Sequence, residues 1–193
     1  MKDSNRSIIS FFREVAIVVI GILVALFINN WNEGLKHEKF VSKALYAIGE
    51  EIKYSKDAIE EILPKHYKTI NLLNTSISKD NESLREVFVK INGFQIPEIR
   101  NIGLRFFVSN SADLVDYAII SDLSEIEFTS KGFEIKLSKL TDLVYSKMES
   151  TSEKDKNMAA ELLVELTDSE EDLIELYEDF LSKHYGALHQ NTD

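Results

Sequence analysis

Residues 15–28 read VAIVVIGILVALFI, fourteen in a row without a polar side-chain atom. A helix satisfies its own backbone, but this one would still present apolar side chains on every face. It therefore belongs in a bilayer, in the core of its own chain, or in an export signal that is removed. As a helix the run is about 21 Å long, short of a hydrocarbon layer of about 30 Å. The flanks lengthen it. SIISFF (residues 7–12) precedes it, and Arg13 can snorkel back to the interface. Trp31, with Asn29, Asn30 and Asn32 around it, stands where an interfacial aromatic belongs. Residues 8–31 then span about 36 Å, enough to cross with modest tilt. Signal cleavage needs small residues one and three positions before the cut. Trp31 and Glu33 occupy that stretch, so the segment is expected to stay on the chain as an anchor.

Basic residues set the expected orientation. Lys2, Arg6 and Arg13 precede the span; Lys36, Lys39 and Lys43 follow at growing distance, mixed with Glu33 and Glu38. The positive-inside rule places the N-terminus in the cytoplasm. The first 14 residues carry three basic and two acidic groups, and the remainder 19 basic and 31 acidic. The expected division is a short cytoplasmic tail (1–7), a transmembrane signal-anchor helix (8–31), a juxtamembrane helix (32–63), an extracytoplasmic helical bundle (64–189) and a tail (190–193). In a bacterium that is the inner membrane, crossed once, with the acidic domain in the periplasm.

The anchor has one distinctive face. Glu14, Val18, Gly21, Ala25 and Asn32 recur at spacings of three, four or seven and stack on one side. Gly21 and Ala25 form a small-x-x-x-small pair that lets a second helix come close. Self-association or docking to another membrane protein is one reading. The other is that small residues are common in any span, with Glu14 merely favouring the positive helix N-terminus. The segment REVAIVVIGILVALFINNWNE resembles the N-terminal signature of an uncharacterised family of bacterial single-pass membrane proteins. The matching positions are Glu14, Val19, Ile20, Gly21, Ile22, Leu23, Ala25, Asn29, Asn30, Trp31, Asn32 and Glu33. A fainter likeness extends to SNSADLVDYAIISDLSEIE (residues 109–127). The resemblance implies an N-terminal anchor and a helical extramembrane domain, and it brings no catalytic residue.

The rest of the chain predicts helices, because only two prolines and seven glycines punctuate it. Val41, Leu45, Ile48, Ile52, Ile59 and Ile62 keep a four-three spacing suited to a coiled coil, broken at Ser55. Pro64 is expected to end or kink that helix. Ile70, Leu73 and Ile77 mark a shorter one. Asp80 or Ser83 caps a helix carrying Leu84, Val87, Phe88 and Ile91, which Asn92-Gly93 closes. A segment from Pro97 carries Ile99, Ile102, Phe106 and Phe107; Ser124 to Glu127 fits a capping box. Leu137, Leu140, Val144 and Met148 mark a further helix. A last one, from Met158 to about Leu188, has Leu162, Leu166, Leu173, Leu176 and Phe180 on one stripe, with Leu163, Ile174, Leu181 and Leu188 beside it. GFQIP and IEFTS are the only possible strands. The expected fold is all-α, a transmembrane helix continuing into an up-and-down bundle.

Chemistry is mostly excluded. Without cysteine there is no disulfide, thiolate metal site or Cys nucleophile. Residues 149–193 hold 13 acids and three lysines, which reads as a solvated helix face with Glu171, Glu175 and Glu178 outward. A di-iron bundle needs Glu-x-x-His on two helices. Gly34, Leu63, Leu181 and Gly186 stand three before His37, His66, His184 and His189, so none qualifies. No zincin, nucleophile-elbow or phosphate-loop motif occurs. The expectation is a non-enzymatic protein with no cofactor and no metal. An acidic chain without a basic stripe is a poor nucleic-acid partner. Expected partners are the lipid bilayer and a second copy or another membrane protein. The leading function is an interaction or assembly module outside the cytoplasm; the alternative is an extracytoplasmic ligand sensor signalling through a partner. A soluble protein that buries its N-terminus in an oligomer is a third reading.

Overall fold

The computed structural model describes residues 2–79, 81–111 and 114–185, with side chains from Val18 onward. Asp80, the alternative cap, and Leu188, at the end of the last predicted helix, lie outside the described residues. The fold is all-α: α1 (Lys2–Ile77), α2 (Leu84–Val89), α3 (Ile102–Asn110), α4 (Tyr117–Lys147), α5 (Glu153–Phe180) and a π-helical turn, Leu181–Tyr185. Among the described residues there is no strand, so GFQIP is irregular backbone and IEFTS lies within α4. The chain divides into two compact units, Met1–Ser42 and Lys43–Asp193.

The described residues of the first unit are all helical, and every side chain described in it up to Phe40 is exposed. The second is a bundle. From Leu45 its part of α1 buries Leu45, Ile48, Ile52, Ser55, Ile59, Ile62, His66, Thr69, Leu73 and Ser76, an unbroken alternation of three and four. The stripe read as a coiled-coil seam thus faces the chain's own core. Pro64 does not end the helix. It is exposed, and so is Glu60 four residues back, whose carbonyl loses its helical donor on the watered side.

On α5 the core row is Lys156, Ala159, Leu163, Leu166, Glu170, Leu173, Tyr177 and Phe180. It departs from the stripe expected there: Leu162, Ile174 and Leu176 are only half-buried. The helix starts at Glu153, earlier than Met158. α4 packs along α5 and α3 on α4; α4 buries Leu123, Ile126, Phe133, Leu140 and Val144, and α3 buries Leu104 and Phe107. Ser124 is no cap, because α4 begins at Tyr117 and the Ser124 hydroxyl donates to the Ile120 carbonyl at 2.6 Å. The Ser83 cap is as expected. Its hydroxyl accepts the Glu86 N–H while the Glu86 carboxylate accepts the Ser83 N–H, a complete capping box. Asn92 (φ 61°) and Gly93 (φ 89°) then turn the chain back.

Candidate functional site

The residues singled out for the anchor lie on α1 within Met1–Ser42. Val18 is 61% exposed, and a Cβ placed on Gly21 would meet nothing, so no described part of the chain uses the small-residue face. Ala25 is exposed too. The Glu14 side chain lies outside those described. In the polar signature the Asn29 amide donates to Glu33 at 3.0 Å, one turn on. Trp31 sets its ring edge-on to Phe27, 5.9 Å between centroids. Asn30 and Asn32 are exposed. Among the described residues one helix is long and apolar enough to cross a membrane, and none of its apolar window is buried.

The bundle holds a second constellation that the sequence reading missed. Between α2 and α3, residues 94–101 run without helix or strand, so their backbone polar groups need partners elsewhere. Side chains of α1 supply them. The Ser55 hydroxyl, which breaks the apolar spacing, accepts the Arg100 N–H at 2.8 Å and donates to the Glu51 carbonyl at 2.8 Å. Glu51 caps α3 from a distance. Its two oxygens accept the Gly103 N–H at 3.0 Å each, and Oε2 the Leu104 N–H at 3.3 Å, where the local cap Asn101 makes no side-chain bond. Arg100 stacks on Tyr54, 3.3 Å from the ring centroid, and both reach Glu98. The bond to Glu98 raises the Tyr54 pKa above its ordinary value.

At the far end of this strap His66 is buried. Its Nε2 donates to the Gln95 carbonyl at 2.8 Å, and its Nδ1 lies 2.9 Å from Glu170 Oε2 on α5. A carbonyl only accepts, so Nε2 carries a proton, and one more proton is shared between Nδ1 and Oε2. The pair is therefore neutral as a whole, either imidazolium with carboxylate or imidazole with carboxylic acid. Phe94 stacks on the imidazole at 5.1 Å and meets Phe88 edge-on. Beyond Phe94 lies a cavity of about 310 Å³, between α2, the strap and the C-terminal end of α4.

Two more buried polar groups hold α5 in place. Lys156 Nζ donates to the Ser76 and Lys79 carbonyls at 2.7 and 2.8 Å, supplying a cation to the C-terminus of α1. Burial pushes the Tyr177 hydroxyl up to about 12, against the smaller lowering effect of the nearby Ser130 and Ser55 hydroxyls. Of the acidic run on α5, Glu171, Glu175 and Glu178 are exposed as expected, while Glu170 is wholly buried. Glu171 accepts the Tyr67 hydroxyl, raising that group to about 12, and Glu178 pairs with Lys56 at 3.1 Å. Among the described residues no group of three or more His, Asp or Glu side chains is placed to hold a metal.

The signal for the hidden pair was periodicity. Carried past Pro64, the three-four spacing of α1 lands on His66, and that of α5 lands on Glu170. Two ionisable residues at core positions of different helices ask for each other.

The class of protein is thus a helical bundle whose first helix also carries an unburied apolar segment of membrane-spanning length. A family model, Family of unknown function (DUF6090), matches residues 14–126, more than half of the 193, and the chain belongs to that family. The match opens at Glu14 and closes inside α4, so it includes Ser55, His66 and the strap but not Glu170 or Tyr177. No curated protein and no solved structure matches the chain.

Proposed function

We propose that the chain is a single-pass, membrane-anchored module that assembles with copies of itself or with another membrane protein. Its bundle stands on the extracytoplasmic side of a bacterial inner membrane. The observation that carries this is the exposure of residues 18–28, whose nine large apolar side chains are 48–64% exposed. Full burial of such side chains stabilises by about 1.5–3 kcal/mol each, so leaving them half in water costs on the order of 10 kcal/mol. That rivals the whole stability of a domain, about 5–15 kcal/mol. Lipid removes this cost, and the open face over Gly21 and Ala25 gives a second helix a place within it. The proposal assigns no catalysis and no nucleic-acid partner.

The absence of cysteine makes the test clean. Gly21→Cys in otherwise wild-type protein, oxidised in native membranes, is expected to give a disulfide-linked dimer or, with a thiol crosslinker, a partner adduct. Leu23→Cys, on the opposite face, is not. Equal yields at both positions, or none at Gly21→Cys, overturn the packing face. A C-terminal tag digested from outside intact spheroplasts supports the stated side; a tag digested only after lysis reverses it.

The sensor reading has one observation of its own, the cavity beside Phe94, which has the size of small-molecule sites.

A further inference from the structure

The cavity is built from three pieces that fold for different reasons. Ser83 caps α2, and the Leu84 and Arg85 N–H groups bond the Ser150 and Met148 carbonyls just past α4, at 3.0 and 2.8 Å, so α2 is tied to that end of the bundle. The turn at Asn92-Gly93 leads into Phe94, which stacks on His66 of α1, and on to Ile96. Val144 and Met148 close the other side. Phe94 cannot relax into the space without giving up its stack on His66, which the Gln95 carbonyl and Glu170 hold from both nitrogens. The hollow is therefore braced open, and its lining is mostly apolar, with the hydroxyl-bearing Thr141 and Tyr145 among it. Arg85 is the one cation of the lining, paired with Glu149 through Nε at 2.6 Å. Both partners are mostly exposed, 59% and 72% by side chain, so their pairing contributes little and can be exchanged. Val89 and Tyr145, also in the lining, are 67% and 76% exposed, so the hollow opens to solvent on their side.

We infer that this cavity binds a medium-chain aliphatic carboxylate, its tail against Phe88, Phe94, Ile96 and Val144 and its head on the Arg85 guanidinium in place of Glu149. The tail is chosen by the apolar walls and the charge of the head by the one cation of the lining. A guanidinium takes a carboxylate through two parallel hydrogen bonds, one to each oxygen, whereas Glu149 offers Arg85 Nε and Nη2 the same single oxygen, Oε1. This deepens the sensor reading by naming its ligand class; binding itself requires neither the anchor nor an output.

The test is calorimetric titration of full-length protein in lipid nanodiscs with octanoate, hexanoate and octan-1-ol, with empty nanodiscs as the blank. Octanoate is expected to bind saturably, one per chain. Two fewer methylenes in hexanoate weaken binding about tenfold or more. Arg85→Gln is expected to bring octanoate down to the affinity of octan-1-ol and to leave octan-1-ol unchanged. Val144→Phe fills the hollow and is expected to abolish both; should it fail to fold by circular dichroism, Arg85→Gln, at an exposed side chain, still decides the matter. Absence of saturable heat over the blank overturns the proposal, as does octanoate binding unaltered by Arg85→Gln. Octanoate binding that leaves partner crosslinking at Gly21→Cys unchanged keeps the site and removes only the sensing.

Discussion

Replacing Glu170 by Leu tests the reasoning about the buried pair at its most exposed point. The carboxylate is wholly buried and the His66 side chain 2% exposed, so water solvates neither. With Glu170 gone, an imidazolium would sit unpaired in a dry core, and a neutral imidazole, still donating Nε2–H to Gln95, would leave Nδ1 without a partner. Breaking a buried pair from one side costs about 3–5 kcal/mol. His66→Leu costs a similar amount by stranding Glu170, and it also orphans the Gln95 carbonyl. The double variant His66→Leu/Glu170→Leu strands no charge, and only that carbonyl remains unsatisfied, at about 1–3 kcal/mol. The singles together sum to about 6–10 kcal/mol, so a coupling energy of at least about 3 kcal/mol follows. Thermal melting followed at 222 nm in detergent reads it. At about 2–4 °C per kcal/mol for a unit of this size, each single lowers the midpoint by roughly 6–20 °C, and the double recovers most of that. If the double falls by the sum of the singles, within about 0.5 kcal/mol, the two residues are independent and the pair is no lock.

Three further outcomes follow from the packing. In Gly49→Ala the new Cβ would stand 2.2 Å from the Tyr185 ring, which must then leave its stack on Tyr46. Overpacking of this kind costs about 1–3 kcal/mol, and hydrogen exchange should rise at the Leu181–Tyr185 turn more than elsewhere. Glu51→Ala removes the borrowed cap of α3, for about 0.5–2 kcal/mol in denaturant melts, with lost protection at the Gly103 and Leu104 amides. Tyr177 gives an alkaline signature: the unfolded hydroxyl ionises near 10.0 and the native one near 12. A raised native pKa means stability that is complete below the unfolded value and is lost as pH climbs between the two, about 2–3 kcal/mol in all. Tyr177→Phe should flatten that part of the melting profile relative to wild type; an unchanged slope contradicts the burial of its hydroxyl.

Much of the bundle was legible because apolar spacing is a local signal. Leu45, Ile48, Ile52, Ile59 and Ile62 form one buried stripe at the spacing read, though against the chain's own core rather than a coiled-coil partner, and the Ser83–Glu86 box marks a real helix start. Pro64 was read as ending or kinking the helix, and it does not end it: the carbonyl that loses its donor to proline costs less where water can reach it. Here that carbonyl belongs to exposed Glu60, so the helix runs on and carries His66 into the core. Ser124 misled the reading, since a serine inside a helix can bond back to the preceding turn instead of starting a new one. The strap at 94–101 was visible only as punctuation, Asn92-Gly93 and Pro97. Its partners Glu51, Ser55 and His66 lie 29 to 53 residues away, beyond any local pattern. The cavity beside Phe94 was not legible at all, for it exists only where α2, the strap and α4 meet.

The most direct measurement is alkaline carbonate extraction of membranes from cells making the full chain, beside a variant with Val19→Lys and Leu23→Lys in the apolar run. With the run embedded in lipid, the wild-type protein stays in the carbonate-resistant pellet and the variant moves to the supernatant. Wild-type protein released by carbonate would mean that residues 18–28 are covered by protein rather than lipid, and the membrane-anchored account would fall.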